Sequence, residues 1–427
     1  MVSVKDNETL TRVGEGTPMG ELMRRYWQPV ALSWELPEPD CPPVRVRILG
    51  EDLVAFRGTS GRVGLIDEWC PHRRTSLWLG RNEEDGLRCV FHGWKYDATG
   101  QCVDMPNELP EYDFKEKVQI KACPTEEIGG VIWAYMGPKG KQPPPPSFEW
   151  TRQPDTHLHV SKGMQECNWL QAMEGGLDSV HTSFLHRKFE GSNRAGLGGM
   201  RSKTPAARLD VKNTPYGYTY ASMRPLGEDK GDYIRTYHYV MPFHQIRAIQ
   251  EHTPEGAITK FKMGGHMWVP IDDEHCMTWN WYYSLDNPLE PQERNESFWG
   301  NGPSFFDEKN GFRAYLNKGN SWGINREVQK TETFTGIEGV NQQDRAVQEA
   351  MGPIVDRSKE MLSQTDKAIV AARRLLLNGA KTVEDGGNPL GVDESYYDIR
   401  AIERVLPPDA QWLDSLKDEM YPTGAPF

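Results

Sequence analysis

The chain has 427 residues, and its 49 basic and 61 acidic side chains give a formal net charge of −12. This length predicts two domains, and the acidic surface argues against nucleic acid as a partner because it repels phosphate backbones. No stretch approaches eighteen uninterrupted apolar residues, and the N-terminus has no apolar leader, so we expect a cytoplasmic protein without membrane association. The odd total of seven cysteines favours reduced thiols over a disulfide framework.

The first 40 residues predict a short helical lead, because a Thr-Pro pair at 17–18 precedes apolar residues spaced three or four apart. Over residues 41–142 the pattern changes to short alternating apolar runs separated by Gly, Asp and Asn turns. These runs cover residues 44–49, 53–56, 63–66, 87–90 and 131–135. They predict a small antiparallel β domain.

Two loops of this β domain contain a cysteine followed closely by a histidine: Cys70 with His72, and Cys89 with His92. Two thiolates and two imidazoles can hold a two-iron cluster with the cysteines on one iron and the histidines on the other, which is Rieske ligation. A structural zinc site is the alternative, since Cys2His2 also suits zinc. Zinc fingers usually put both cysteines in one half, whereas each loop here mixes the ligand types, which favours the [2Fe-2S] cluster. Gly93 lets the backbone approach that cluster.

Proline and glycine are frequent over residues 137–146 and mark a boundary, after which we expect a second domain over residues 151–427. This part predicts a helical segment over 168–185, a set of strands, and a helix over 343–376. The strand-like runs include 216–222, 233–242, 260–269 and 277–284. Strands enclosed by helices at both sequence ends indicate an α+β domain with one large sheet and a covered cavity.

A second set of candidate metal ligands lies in the segment 168–185 and just beyond it. On an ideal helix, Glu174, Asp178 and His181 share one face, whereas His186 points about 140° away from His181. Both imidazoles can therefore reach one ion only if the helix widens by a π-type turn or ends near residue 182. Glu174 is expected to support Asp178 or to cap the helix face.

A carboxylate ligand is still missing from this set. Two neutral imidazoles and one carboxylate hold iron(II) and leave positions open for substrate and dioxygen. We expect Asp344, at the start of the late helix, to supply the acid, with Asp356 as the second candidate. Two histidines five residues apart also fit a polar helix end, but beside the cysteine and histidine loops they indicate a mononuclear iron site.

Together the two ligand sets resemble the oxygenase component of the Rieske non-haem iron oxygenases over nearly the whole chain. The family pattern of an acid, three residues, Asp, two residues, His, four residues and His is matched from Glu174 to His186. Within the family the resemblance is strongest to the phthalate 4,5-dioxygenase branch, through residues 16–22, 168–171 and 344–357.

This resemblance implies an α+β chain in which a helix-grip (Bet v 1/START-like) catalytic domain follows the Rieske antiparallel β domain, with the lead over residues 1–40 packed on the catalytic domain. It implies a homo-oligomer, either a trimer or a stacked pair of trimers, and a flavin and iron–sulfur reductase that uses NADH. Asp178 would bridge His181 to a cluster histidine of the neighbouring subunit, or would serve His181 alone.

The expected reaction is cis-dihydroxylation of an aromatic carboxylate with O2, acting on phthalate at its 4,5-positions or on a close analogue. Such a substrate needs a cationic clamp, and we expect Arg208 and Arg247 to supply it, because a guanidinium matches a carboxylate bidentately. Arg235, Lys260 and Lys262 are alternatives. Two other functions stay open: a monooxygenase or O-demethylase acting on a methoxy- or phenoxybenzoate, and a Rieske redox carrier with a ligand-binding cavity.

Overall fold

The computed structural model describes residues 2–189, 199, 204–227, 230–253, 258–295, 299–392 and 397–426. Along the chain, two short helices come first, followed by an antiparallel β region and then by one large sheet with helices around it. Among the described helices, none combines the length and the apolar composition that a membrane crossing requires.

The two short helices at the start of the chain both begin at a side-chain cap. Ser3 caps helix Val4–Thr11 and Thr17 caps helix Pro18–Met23, each by accepting a hydrogen bond from a backbone N–H three residues later. Helix Pro18–Met23 packs against the late helix Lys367–Glu384. The second short helix therefore contacts the second half of the chain.

The last part of the lead over residues 1–40 differs from the prediction, because strand Trp27–Leu32 forms there instead of a helix. This strand pairs antiparallel with Val131–Tyr135, which also pairs with Thr125–Ile128. All its residues are buried. A strand that is buried on both faces does not alternate between apolar and polar residues, so periodicity does not distinguish it from a helix.

The predicted small antiparallel β domain is confirmed, and it contains two four-stranded antiparallel sheets. Their strands are Val44–Ile48, Glu51–Arg57, Val63–Asp67 and Ala122–Cys123 in the first sheet, and Arg81–Glu83, Gly86–Arg88, Lys95–Asp97 and Cys102–Asp104 in the second. A separate small core includes Phe56, Leu87 and Tyr96, and it also contains Cys70 and Cys89. The two cysteines are thus held by the packed interior of this region.

The second half of the chain forms a sheet of ten described strands, which is antiparallel except for a short parallel contact between Met164 and Arg313. In order, its strands are Arg208–Thr214, Gly217–Pro225, Asp232–Val240, His244–Ala248, Lys262–Pro270, Cys276–Ser284, Leu158–Gln165, Arg313–Ala314 and Phe306–Asp307, with Glu403–Leu406 paired to Asp232–Val240. Helix Trp169–Leu177 packs against strand Lys262–Pro270. This is the expected α+β arrangement of one large sheet with flanking helices.

The prediction of a single helix over residues 343–376 is wrong, because the structure has two helices in this region, Val340–Ala350 and Lys367–Glu384. Gly352 adopts a φ of +92°, which is not helical. Pro353 follows it and has no backbone N–H to continue a helix. The remaining described α-helices and strands are Pro291–Asn295, Arg326–Thr331, Trp412–Met420, Glu251–His252 and Ile258–Lys260.

Candidate functional site

The cysteine and histidine motif lies on two loops, each closed by backbone hydrogen bonds around its cysteine. In the first loop the N–H and the C=O of Cys70 are both bonded within the loop, and the same holds for Cys89 in the second. Gly93 adopts a φ of +83°, and a side chain at this position would lie 2.6 Å from Pro106. The second turn therefore requires glycine.

These loops bring the four predicted cluster ligands together. Cys70 and Cys89 are buried, and a hydrogen bond with Cys89 lowers the pKa of the Cys70 thiol to about 6. The ring centroids of His72 and His92 lie 4.3 Å apart, and Nδ1 of His72 is buried without a hydrogen-bond partner among the described residues. Adjacent thiols and adjacent imidazoles fit a [2Fe-2S] cluster with two ligands of each type.

The second ligand set lies where a helix ends. The sequence left two alternatives open, a π-type turn or a helix end near residue 182. Helix Trp169–Leu177 instead stops directly before Asp178, and a 3-10 turn over His181–Ser183 follows without a π-type turn. The angle calculated for an ideal helix therefore does not apply. The rings of His181 and His186 meet with their centroids 5.2 Å apart and their planes at 85°.

Asp344, the predicted carboxylate ligand, lies beside both histidines. Its Oδ1 lies 3.5 Å from Nε2 of His181 and 3.5 Å from Nε2 of His186, and one ligand atom of each residue lies within 4.8 Å of the others. Two imidazoles and one carboxylate at this spacing fit a single iron(II) ion. Asp356 is not part of the group, because its carboxylate caps the short turn that follows it and pairs with Lys359.

Asp178 lies behind His181, on the side of the ring away from Asp344. Its Oδ2 is the near carboxylate oxygen, 3.6 Å from Nδ1 of His181, and this buried nitrogen has no hydrogen-bond partner among the described residues. Burial alone would raise the pKa of Asp178, but its interactions with His181 lower it overall. Burial would lower the pKa of His181, but Asp178 and Asp344 raise it. Asp178 is thus placed to orient the His181 ring.

Glu174 belongs to a buried ion-pair network instead of supporting the side chain of Asp178 or capping the helix face. Arg357 donates to its carboxylate at 2.9 Å and Arg373 at 2.6 Å. Burial would raise the pKa of Glu174, but the two arginines lower it overall. Because the carbonyl of Glu174 accepts the N–H of Asp178 at 3.0 Å, the network also holds the helix end that leads to Asp178.

The candidate iron ligands line a cavity of about 730 Å³, a size typical of sites for small organic ligands. One wall is a row of side chains across the sheet: Gln245 pairs with His266, and His266 pairs with Asn280. Other residues that line the cavity include Asp178, Tyr237, Tyr282, Trp299, Asn341 and Arg345. The metal ligands and a polar wall thus share one space.

The candidate substrate-binding cations differ in position. Arg247 lines the cavity. Arg208 is not among the lining residues; 71% of its side chain is exposed, and it pairs with Asp232 at 2.6 Å. Arg235 and Lys262 line the cavity but are each bound to glutamate side chains. Arg247 remains a candidate clamp because it lines the cavity, whereas the exposed position of Arg208 outside the cavity does not support a clamp there.

Sequence reasoning missed three residues around the metal site: Gln343, Arg357 and Arg373. Gln343 contacts His186, and its position directly before Asp344 was the available signal. The two arginines gave no signal, because Glu174 lies 183 and 199 positions away from them.

Two protein families together match most of the chain. Residues 26–119 match the Rieske [2Fe-2S] domain, and residues 134–420 match the family described as LigXa C-terminal domain like. The first match contains both cysteine and histidine loops and supports the cluster over zinc. The second contains the candidate iron ligands.

Several curated oxygenase subunits are similar over nearly the full length. The 3-chlorobenzoate-3,4-dioxygenase oxygenase subunit of Comamonas testosteroni is 38% identical over 96% of this chain and 97% of that protein. The phthalate 4,5-dioxygenase oxygenase subunit of Pseudomonas putida is 37% identical over 97% and 94%. The 5,5'-dehydrodivanillate O-demethylase oxygenase subunit of Sphingobium sp. is 33% identical over 98% and 89%. These matches favour an enzyme over a redox carrier.

Among solved structures, NdmA of Pseudomonas putida CBB5 has the same fold, with a TM-score of 0.61 at 17% identity over 92% of this chain and 99% of that chain. Oxygenase components of the Rieske family are oligomeric and take electrons from reductases. The chain therefore belongs to the Rieske non-haem iron oxygenases, in the phthalate 4,5-dioxygenase-like branch, as an oxygenase component with a [2Fe-2S] cluster and a mononuclear iron.

Proposed function

We propose that this enzyme cis-dihydroxylates an aromatic carboxylate, either phthalate at its 4,5-positions or a close analogue. The observation that carries the proposal is the shared cavity, which is lined by His181, His186 and Asp344 together with Arg247. The relatives named for 3-chlorobenzoate and phthalate, at 38% and 37% identity, support an aromatic acid as the substrate class.

When bound, the mononuclear iron(II) supplies dioxygen activation and the cluster supplies single electrons. His181, His186 and Asp344 would hold the iron, and Cys70, His72, Cys89 and His92 would hold the cluster. The protein's own task is to place the ring carbons beside the iron ligands and to exclude bulk water. The cavity suits this task because its walls come from the sheet, from the segment that follows helix Trp169–Leu177 and carries the two histidines, and from helix Val340–Ala350, which carries Asp344.

Arg247 would bind the substrate carboxylate. Its planar guanidinium offers two parallel N–H donors, which match the two carboxylate oxygens. Burial, and then the charge of Arg247, lower the pKa of His266 well below its usual value, so His266 contributes a neutral imidazole to the wall near the clamp. If Arg247 binds the substrate carboxylate, the aromatic ring lies in the same cavity that the iron ligands line.

For electron delivery we infer an NADH-dependent flavin and iron–sulfur reductase, and a trimer or a stacked pair of trimers. In such an assembly Asp178 would bridge His181 to a cluster histidine of a neighbouring subunit. Of the Asp178 side chain 27% is accessible, and Asp178 lines the cavity, so the carboxylate has room for a second partner besides His181. We also propose a division of the chain into three parts: a lead over residues 1–40, a Rieske domain over 41–142 and a catalytic domain over 151–427.

Product analysis tests the reaction. The purified enzyme is incubated with reductase, NADH and isotopically labelled dioxygen, together with phthalate isomers, chlorobenzoates, methoxybenzoates or phenoxybenzoates. We expect a dihydrodiol that carries two labelled oxygen atoms, formed fastest from phthalate or a close analogue. Absence of any dihydrodiol across this panel would contradict the proposal.

O-demethylation is the second candidate function, and the observation that favours it is the 33% identity to an O-demethylase oxygenase subunit. In that reaction a methyl carbon of a methoxybenzoate is hydroxylated, and the hemiacetal formed releases formaldehyde. Release of formaldehyde that carries one labelled oxygen atom, without a dihydrodiol, would support demethylation over dihydroxylation.

A further inference from the structure

We infer that Gln343 is a positioning residue for the iron site, because it holds the His186 ring at the nitrogen opposite the metal position. Oε1 of Gln343 lies 2.8 Å from Nδ1 of His186, whereas Nε2 of the same ring lies 3.5 Å from Oδ1 of Asp344. Two consecutive residues of one helix therefore face the two nitrogens of one imidazole. The inference rests on the proposed assignment of His181, His186 and Asp344 as the iron ligands.

The orientation of the Gln343 amide is fixed by a second hydrogen bond. Its Nε2 donates to the carbonyl of Ile337 at 2.8 Å, and a carbonyl oxygen can only accept. The amide nitrogen must therefore face Ile337, so the amide oxygen faces His186. Because this oxygen accepts, Nδ1 of His186 carries the proton and Nε2 keeps its lone pair for a metal.

The surroundings of Gln343 limit its movement. The residue is 7% exposed, and it lies in the first turn of helix Val340–Ala350, where its backbone N–H donates to the carbonyl of Gly339 at 3.0 Å. Gly339 adopts a φ of +82°, and a side chain there would lie 2.7 Å from the backbone of Gly300. A buried amide on the first turn of a helix gives a rigid support for a metal ligand.

The two histidines are thus oriented by acceptors of different charge. Asp178 faces Nδ1 of His181 with a carboxylate, whereas Gln343 faces Nδ1 of His186 with a neutral amide. Asp178 and Asp344 already place two carboxylates beside the imidazoles. A neutral amide orients the second ring without adding a third negative charge to this buried site.

The test measures metal affinity directly. Cobalt(II) is titrated into protein whose mononuclear metal has been removed while the cluster, followed by its visible absorption, is retained. We expect Gln343→Leu to weaken cobalt binding by about 10- to 100-fold, the usual effect of removing a residue that orients a metal ligand. Gln343→Glu keeps an acceptor oxygen for His186, and its added negative charge attracts a divalent cation, so it should bind cobalt(II) within a few-fold of the wild type or more tightly.

Gln342→Leu is the matched control, because it removes a neighbouring buried amide that bonds Arg345 and the carbonyl of Leu316 and contacts no metal ligand in the described hydrogen bonds. This variant should bind cobalt(II) like the wild type. The inference would be overturned if Gln343→Leu kept wild-type affinity, or if Gln343→Glu were as weak as Gln343→Leu while cluster absorption and unfolding temperature stayed normal.

The same titration on His181→Ala separates this inference from the proposed function. If His181→Ala binds cobalt(II) like the wild type, the ligand assignment fails and the inference fails with it. If His181→Ala loses the metal while Gln343→Leu retains it, only the role of Gln343 fails.

Discussion

In the proposed assembly, Asp178 would connect the orientation of a metal ligand to electron delivery, because one of its carboxylate oxygens faces His181 and 27% of its side chain is accessible. Its other oxygen accepts the N–H of Val180 at 2.7 Å, so the backbone fixes the carboxylate. An acid held in this way can orient the His181 ring and also contact a second imidazole from outside the chain.

Asp178→Asn tests this dual role with a side chain of the same size that lacks the charge. We expect both metals to be retained, while oxidation of the reduced cluster in a single turnover slows by about 10- to 100-fold, because the proposed bridge loses its carboxylate. Stopped-flow absorption of the cluster measures this rate. A wild-type rate of cluster oxidation would rule out the bridge.

Arg247→Met tests the carboxylate clamp. Loss of charged hydrogen bonds worth about 1.5–3 kcal/mol should raise KM for the aromatic acid by about 10- to 100-fold. The matched control is Arg208→Met, which removes an exposed arginine outside the cavity and should leave KM unchanged. Steady-state kinetics give KM for both variants, and an equal change of KM in the two would show that Arg247 is not the clamp.

The seven candidate metal ligands were predictable from sequence, because residue type and spacing restrict metal chemistry strongly. The substrate clamp was less predictable. Arg208 and Arg247 both lie in strand-like runs, but Arg208 begins the strand at one end of the sheet, whereas Arg247 belongs to an interior strand whose residues border the cavity. Strand order depends on long-range pairing, which local sequence does not contain.

At the scale of elements, the early end of helix Trp169–Leu177 is what brings the two histidines together. Gly175 and Gly176 lie in its last turn, and a side chain at Gly176 would lie 2.0 Å from Trp268. Gly176 therefore allows close packing of the helix on the sheet, and both glycines weaken the helix there. The sequence predicted that a distortion was needed but not its place, because tertiary packing decides where the helix ends.

Glu174→Gln tests the network that anchors this helix. Removing one partner of a buried ion pair should lower the free energy of unfolding by about 3–5 kcal/mol, because Arg357 and Arg373 then lose a charged partner. Glu327→Gln, in the exposed pair with Lys330, is the control and should change stability little. Denaturant unfolding of the three proteins gives the comparison.

The effect of Glu174 should also depend on pH in a defined direction. Its pKa is lowered in the folded chain from the usual 4.5, so its contribution is present above that usual value and is lost as the pH falls through the lowered pKa. The stability difference between wild type and Glu174→Gln should therefore shrink on acidification. A difference that stays constant from pH 7 to strongly acidic pH would contradict this reading.

For the whole molecule, the proposed oligomer means that the cluster of one chain serves the iron of its neighbour. A His72→Ala chain lacks a cluster ligand, and a His181→Ala chain lacks an iron ligand, so each alone should be inactive. Co-expressed hybrids carrying both chains should regain activity, because an intact cluster can then lie beside an intact iron site. Inactive hybrids of verified mixed composition would show that electrons pass within one chain.

One chain carries both a Rieske cluster and a separate iron, and we assign His181, His186 and Asp344 as the ligands of that iron. Iron content per chain, measured on wild type and on His181→Ala with the visible absorption of the cluster followed in parallel, tests this assignment most directly. We predict about three iron atoms per chain in the wild type and about two in the variant, with unchanged cluster absorption. Equal iron content in the two proteins would contradict the assignment.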